Sequence, residues 1–202
     1  MVDFATIFDR TPVMAILRGY TADRSVELAR TAWDLGIACV EVPVQSPEAV
    51  ESLAAVVEAA AGRDVVIGAG TVTTSERVAR SLAAGAQFTV APGFDAAVAA
   101  ESEAAGLPHL PGVATPSEVG AAMAHGYTWL KAFPASLLTP AWLAAIAGPF
   151  PQARLVCTGG IDSHNARAFL DAGARGVAVG SALESPEQLP ALATLVGRGA
   201  GR

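Results

Sequence analysis

The apolar positions of this chain follow two alternating rhythms. Short apolar runs occur at 13–17 (VMAIL), 37–42 (IACVEV), 64–70 (DVVIGAG), 87–92 (QFTVAP), 108–112 (PHLPG), 128–133 (TWLKAF), 154–160 (RLVCTGG) and 176–181 (GVAVGS). Their length and content predict buried strands. Between them, alanine-rich amphipathic segments predict helices near 22–35, 47–61, 74–84, 95–105, 116–125, 139–147, 162–172 and 185–197, with a short helix over 3–9 before the first strand. Thr21, Ser46, Thr74 and Thr115 stand where N-caps belong. Pro47, Pro116, Pro140 and Pro186 stand where first-turn prolines belong. Gly36, Gly85, Gly106, Gly126 and Gly173 each fall one to three residues before a strand, where a left-handed C-cap ends a helix.

Eight such units predict an α/β protein, a (β/α)8 TIM barrel with a short N-terminal helix, forming one domain over 1–202. The alternative is a doubly wound open sheet. That fold needs a glycine-rich phosphate loop after its first strand, and ILRGYTADR (16–24) does not fit G-x-G-x-x-G.

Composition narrows the partners. A chain of 202 residues, 52% hydrophobic, can bury a substantial core. A net charge of −6 with no basic block argues against nucleic acid or an anionic membrane as main partner. The longest charge-free stretch, 132–153, carries Pro134, Pro140, Pro149 and Pro151, which disfavours a membrane helix. The opening MVDF lacks the pattern of a secretory signal, so a cytoplasmic protein is expected. Cys39 and Cys157, both in apolar strand runs, are expected to be buried thiols in a reducing compartment.

Barrel chemistry belongs at the C-terminal ends of the strands. Lys131, in TWLKAFPAS, is the only lysine; the other twelve of the 13 basic residues are arginine. Burial lowers the pKa of an amine and makes it a nucleophile toward a carbonyl. Arginine stays protonated and cannot do this. The structural alternatives are a lysine snorkelling to a strand end or paired with Glu41. In IACVEVPVQS, period-two alternation sets Cys39, Glu41 and Pro43 on one face and Val40 and Val42 on the other. Glu41 then reads as a general acid/base, or as a structural partner for Lys131 or Arg18. CTGGI (157–161) and VGSAL (179–183) follow the last two strands, and such glycine-rich turns cradle phosphate in barrels of this kind. His109, His125 and His164 form no metal-ligand spacing; His125 reads as a helix C-terminal residue and the other two as surface or loop histidines.

These motifs resemble the family of 2-keto-3-deoxy-6-phosphogluconate (KDPG) and 4-hydroxy-2-oxoglutarate (KHG) aldolases. LKAFPAS resembles its Schiff-base lysine motif, and GIACVEVPVQSPEA its glutamate motif. AILRG, IGAGTV, GAQFTVAPG, PGVATPSE, IAGPFP and CTGGI follow in the family's order. The resemblance implies an imine on Lys131 and acid/base work by Glu41. It implies a pyruvyl pocket of Thr71, Pro92 and Phe133, and a phosphate site of Gly159, Gly160, Gly180 and Ser181. It also implies a (β/α)8 barrel, a homotrimer, a small keto-acid phosphate as substrate, and no metal or cofactor. Where the gluconate branch has Glu-Val-Thr, an apolar residue and a carboxylate-binding Arg, this chain has Glu41-Val42-Pro43-Val44-Gln45, which is closer to the 6-phosphogalactonate branch. Thr158 is closer to the gluconate branch, so the motifs leave the C4 configuration open. The missing arginine makes Arg18, at the end of the first strand, the expected carboxylate anchor, with Gln45 trimming the geometry; the alternative is that Arg18 simply pairs with Glu41 or a loop acid. The expected activity is cleavage of a 2-keto-3-deoxy-6-phospho sugar acid to pyruvate and glyceraldehyde 3-phosphate. Its rivals are a 4-hydroxy-2-oxoglutarate aldolase, a phosphate-binding barrel isomerase and a non-catalytic metabolite-binding barrel.

Overall fold

A computed structural model describes residues 2–197. The outermost residues of the expected 1–202 domain, 1 and 198–202, lie outside the described residues. The elements run α1 (Phe4–Arg10), β1 (Val13–Ile16), α2 (Ala22–Asp34), β2 (Cys39–Pro43), α3 (Pro47–Ala59), β3 (Val66–Gly70), α4 (Ser75–Ala83), β4 (Thr89–Val90) and α5 (Ala96–Ala104). They continue with β5 (His109–Leu110), β6 (Gly112–Val113), α6 (Pro116–Ala124), β7 (Trp129–Ala132), α7 (Ala135–Ala147), β8 (Arg154–Thr158), α8 (Ala166–Asp171), β9 (Gly176–Val179) and α9 (Leu189–Gly197).

Strand pairing is parallel throughout, in the order β5-β4-β3-β2-β1-β9-β8-β7-β6. The two ends of that order, β5 and β6, are halves of the single strand expected over 108–112. Pro111 divides them because it has no N–H to give to the ladder. Its carbonyl still accepts from the Lys131 N–H at 2.8 Å, and Gly112 N–H donates to Gly93 O at 3.1 Å. The ring of strands therefore continues across the break, and the (β/α)8 barrel expected from the sequence is the fold.

Alternation along the strands makes two cores. Met14, Ile16, Cys39, Phe88, Val90, Leu110, Val156 and Ala178 fill the barrel interior, while Val13, Ala15, Val40 and Val42 face the helices. Gly68 is required here: a Cβ on it would lie 2.3 Å from the Phe88 ring. Helix α1 starts on Asp3, whose carboxylate accepts from the N–H groups of Ala5 and Thr6. It seals the N-terminal end of the barrel, with Phe4 edge-on to Phe88 and Phe8 stacked on Trp129. The C-terminal end is left for the site.

The expected N-caps at Thr21, Ser46, Thr74 and Thr115 all accept a backbone hydrogen bond, and Thr115 with Glu118 forms a full capping box. The five expected C-cap glycines all have positive φ. Cys39 and Cys157 are buried and unbridged.

Four expectations differ from the structure. The helix expected over 139–147 begins earlier, at Ala135, and breaks at Thr139 (φ 64°), so Pro140 opens only its second part. The helix expected over 162–172 is shortened to Ala166–Asp171, because Asn165 and Asp162 tie residues 160–165 into a hydrogen-bonded turn. Pro186 is not a first-turn residue: α9 starts at Leu189, after a 3-10 turn over Ser181–Glu184. His109 is not on the surface or in a loop. It lies in β5 at 2% exposure, hydrogen-bonded to Thr89, and a small polar partner there makes its burial tolerable. His125, by contrast, is the C-cap of α6, and His164 is exposed in a turn.

Candidate active site

Lys131 and Glu41 project into the upper part of the barrel from β7 and β2. Register sets Lys131 beside Gly112 and Val156, and Glu41 beside Ile16 and Gly68. The two side chains are 2% and 0% exposed, and Lys131 Nζ lies 3.8 Å from Glu41 Oε1. That is too long for a hydrogen bond. Neither carboxylate oxygen has a hydrogen-bond partner among the described residues. The space for this carboxylate is made by Gly70, where a Cβ would stand 1.9 Å from Oε1. Burial pushes the Lys131 pKa below its ordinary value; the Glu41 charge opposes that shift and the Arg18 charge adds to it. Nζ also lies 5.2 Å from the Phe133 ring centroid.

This geometry bears on the alternatives left by the sequence. Lys131 does not snorkel to solvent. It does pair with Glu41, but a buried pair this long leaves much of its desolvation cost uncompensated.

Beside the pair lies a cleft of about 290 Å³ between the ends of β1, β7, β8 and β9. Arg18, Phe133, Thr158, Gly159, Gly160, Gly180 and Ser181 line it, together with Tyr20. Gly159 and Gly160 turn at φ 91° and 74°, and a Cβ on Gly160 would lie 2.6 Å from the Ser136 Cβ. Asn165 Nδ2 donates to Gly160 O at 2.8 Å and fixes the turn. Thr158 is buried, with no partner for its hydroxyl. Arg18 is exposed at the rim. Such a surface, rich in backbone amides with one guanidinium at its edge, suits a bound anion.

Gln45, Thr71 and Pro92 follow β2, β3 and β4 and do not line this cleft. Gln45 and Pro92 are exposed, while Thr71 is half-buried and has φ 58°. Three residues of this end were not singled out by sequence reasoning. Gly70 had a signal, as the last residue of GAG beside the expected Thr71. Tyr20, which donates to Glu184 Oε2 at 2.8 Å, and Arg77, which reaches the backbone of Gln45 and Thr71, had none.

A buried amine and a buried carboxylate meet near the C-terminal ends of the strands, where (β/α)8 barrel enzymes carry their chemistry. Within that class the chain belongs to the KDPG and KHG aldolase family, whose family model matches residues 5–193. It is 38% identical over 166 residues to a 2-dehydro-3-deoxy-phosphogluconate aldolase of Treponema pallidum (strain Nichols), covering 82% of this chain and 78% of the relative. It is 34% identical over 175 residues to a 2-dehydro-3-deoxy-6-phosphogalactonate aldolase of Escherichia coli (strain K12), covering 86% and 85%. Among solved structures, a KDPG aldolase from Legionella pneumophila, with pyruvate captured as a covalent carbinolamine intermediate, superposes with a TM-score of 0.83 at 29% identity, covering 96% of this chain and 97% of that one.

Proposed function

We propose that this chain is a class I aldolase that cleaves a 2-keto-3-deoxy-6-phospho sugar acid to pyruvate and glyceraldehyde 3-phosphate. The observation that carries the reading is the buried Lys131–Glu41 pair, 3.8 Å apart with both carboxylate oxygens unpartnered. The neutral amine of Lys131 attacks the C2 ketone, and loss of water with uptake of one proton, delivered by Glu41, leaves a protonated imine and Glu41 as the carboxylate. Glu41, directly or through water, takes the C4 hydroxyl proton. The C3–C4 bond breaks, its electrons pass into the imine to give an enamine, and the aldehyde leaves. Reprotonation at C3 and hydrolysis of the imine release pyruvate and restore the lysine. Phe133 and Thr158 flank the keto acid, with Thr71 and Pro92 on the far side of the mouth. The glycine turns of Gly159, Gly160, Gly180 and Ser181 hold the phosphate, and Arg18 with Gln45 holds the carboxylate.

The anion-fitted cleft favours a phosphorylated substrate over 4-hydroxy-2-oxoglutarate. The two named relatives act on epimers at C4, so a stereochemically resolved substrate panel decides between gluconate and galactonate types. A homotrimer is the assembly we infer. A chain from a cage designed by fusing symmetric oligomeric domains, matched with a TM-score of 0.85 at 31% identity, supports association, and sedimentation tests its order.

The chemistry is tested by reduction with borohydride in the presence of pyruvate. One reduced pyruvyl group should appear on residue 131, with the N-terminal amine as the control. Lys131→Arg keeps the charge but should lose turnover and trapping alike. Near-normal activity in that variant would remove the Schiff-base mechanism.

A further inference from the structure

Several arginine side chains of the barrel surface meet acids. Arg10, Arg24, Arg80 and Arg167 all form salt bridges with Asp or Glu. Arg77, in the first turns of α4, is different. Its Nη1 donates to Thr71 O at 3.2 Å and to Thr73 Oγ1 at 2.6 Å, and its Nη2 reaches Gln45 O at 3.5 Å. Every acceptor is a neutral oxygen on the two loops that follow β2 and β3. The side chain is half-buried between them.

The loop it holds is the one that shapes the space around Glu41. Thr71 has φ 58°, a left-handed conformation that a β-branched residue adopts only when its surroundings impose it. The residue before it, Gly70, leaves no room for a Cβ against the Glu41 carboxylate. The two loops also meet directly, through Val44 N–H to Gly70 O at 2.9 Å, while Val72 N–H donates to Val90 O at 3.0 Å. A planar guanidinium can serve two loops at once because its two terminal nitrogens diverge; an ammonium acts from one point.

We infer that Arg77 is a positioning residue, a clamp that holds the Gly70–Thr71 turn against Glu41 and ties it to the Gln45 loop. The inference rests on the aldolase reading, in which Glu41 moves the proton. A clamp of this kind acts on the chemical step more than on binding, because a displaced acid/base loses rate even where the substrate still docks.

Arg77→Ala and Arg77→Lys test it, each measured for amide exchange, kinetics and melting. In Arg77→Ala the amides of Val44 and Val72 should exchange about tenfold faster. Its kcat should fall by about tenfold while KM changes by less than about threefold. Arg77→Lys should recover part of both losses, and millimolar guanidinium should raise the activity of Arg77→Ala but not that of the unaltered enzyme. Unchanged exchange in Arg77→Ala overturns the clamp. Faster exchange with unchanged kcat, or a lowered melting temperature as the sole effect, leaves a structural arginine and overturns the positioning role. If the unaltered protein fails to trap pyruvate, the aldolase reading fails, and the exchange measurement still decides whether the clamp exists.

Discussion

Two polar clusters are buried in this barrel, and they are built on opposite principles. Between β4, β5 and α5, His109 Nδ1 pairs with Thr89 Oγ1 at 2.7 Å, Thr89 meets Ser102, and Ser102 donates to Leu107 O at 2.9 Å. The backbone N–H of His109 donates to Glu103 Oε1. Only Nε2 of the ring has no partner. Burial holds this imidazole neutral, its pKa pushed down to about 4. Inside the barrel mouth, Lys131 and Glu41 are equally buried, yet they stand 3.8 Å apart and neither carboxylate oxygen is satisfied. The first cluster is a chain of neutral groups ending on the backbone, which is how polar atoms are buried to stabilise a fold. The second holds charge-bearing groups apart at a cost to stability. The contrast teaches that depth of burial does not mark a functional group. What sets the Lys131–Glu41 pair apart is unmet hydrogen-bonding capacity on a charge-bearing group, which the proposed mechanism uses.

The largest effect expected from this contrast is on turnover. Glu41→Gln keeps the shape and removes the base. Turnover should fall by roughly 10²–10⁴, the usual worth of positioned acid/base catalysis, with pyruvate still bound. The melting temperature should change little, because Lys131, its pKa already lowered by burial, can give up its proton when the counter-charge is removed. Unchanged turnover with a lowered melting temperature would put Glu41 in the same class as the His109 cluster.

The reverse behaviour is expected at His109. Its folded-state pKa, about 4, lies below the ordinary value of 6.5. Above pH 6.5 the ring is neutral in both states and proton linkage contributes nothing. As pH falls from 6.5 toward 4 the unfolded chain takes up a proton that the folded one refuses. Stability therefore declines through that window, by on the order of 3 kcal/mol in all. Urea unfolding measured at pH 7 and pH 4 should show this decline, and His109→Asn should flatten it while leaving turnover at pH 7 near normal. A variant with the same pH slope as the parent would show that the acid sensitivity arises elsewhere.

The two clusters were unequally legible in the sequence. Lys131 stood out because its type is unique in the chain and its neighbours are apolar, and Glu41 because a strand period placed it inward. The barrel itself could be read from its helix caps, since Thr74 and Thr115 or Gly36 and Gly85 follow local rules that tertiary structure rarely overrides. His109 was misread because its burial depends on Thr89 and Ser102, which lie 20 and 7 positions earlier in the chain and become neighbours only when β4, β5 and α5 pack. The division of the fifth strand at Pro111 and the late start of α9 were likewise set by packing. Arg77 and Tyr20 gave no signal at all, because a single arginine among twelve, or a tyrosine after a strand, acquires meaning only from what it touches.

The smallest effect expected concerns Arg18, an exposed residue that lines the cleft. It lines the same cleft as Gly159, Gly160, Gly180 and Ser181, and its charge lowers the pKa of Lys131. Two ligand groups compete for it. A keto-acid carboxylate beside Lys131 needs a cationic partner, because an unpaired buried anion is costly, and Gln45 offers only a neutral amide. On the proposed mechanism the phosphate is held by the glycine turns, whose backbone N–H groups can hold an anion without a side chain. Arg18 is then the group expected to serve the carboxylate. Arg18→Ala should weaken pyruvate trapping by about tenfold, since hydrogen bonds to charged groups contribute about 1.5–3 kcal/mol. The variant should also form its imine with a more alkaline pH dependence, because one source of the depressed Lys131 pKa is gone. Trapping of pyruvate at unaltered concentrations, with loss confined to the phosphorylated substrate, would instead assign Arg18 to the phosphate.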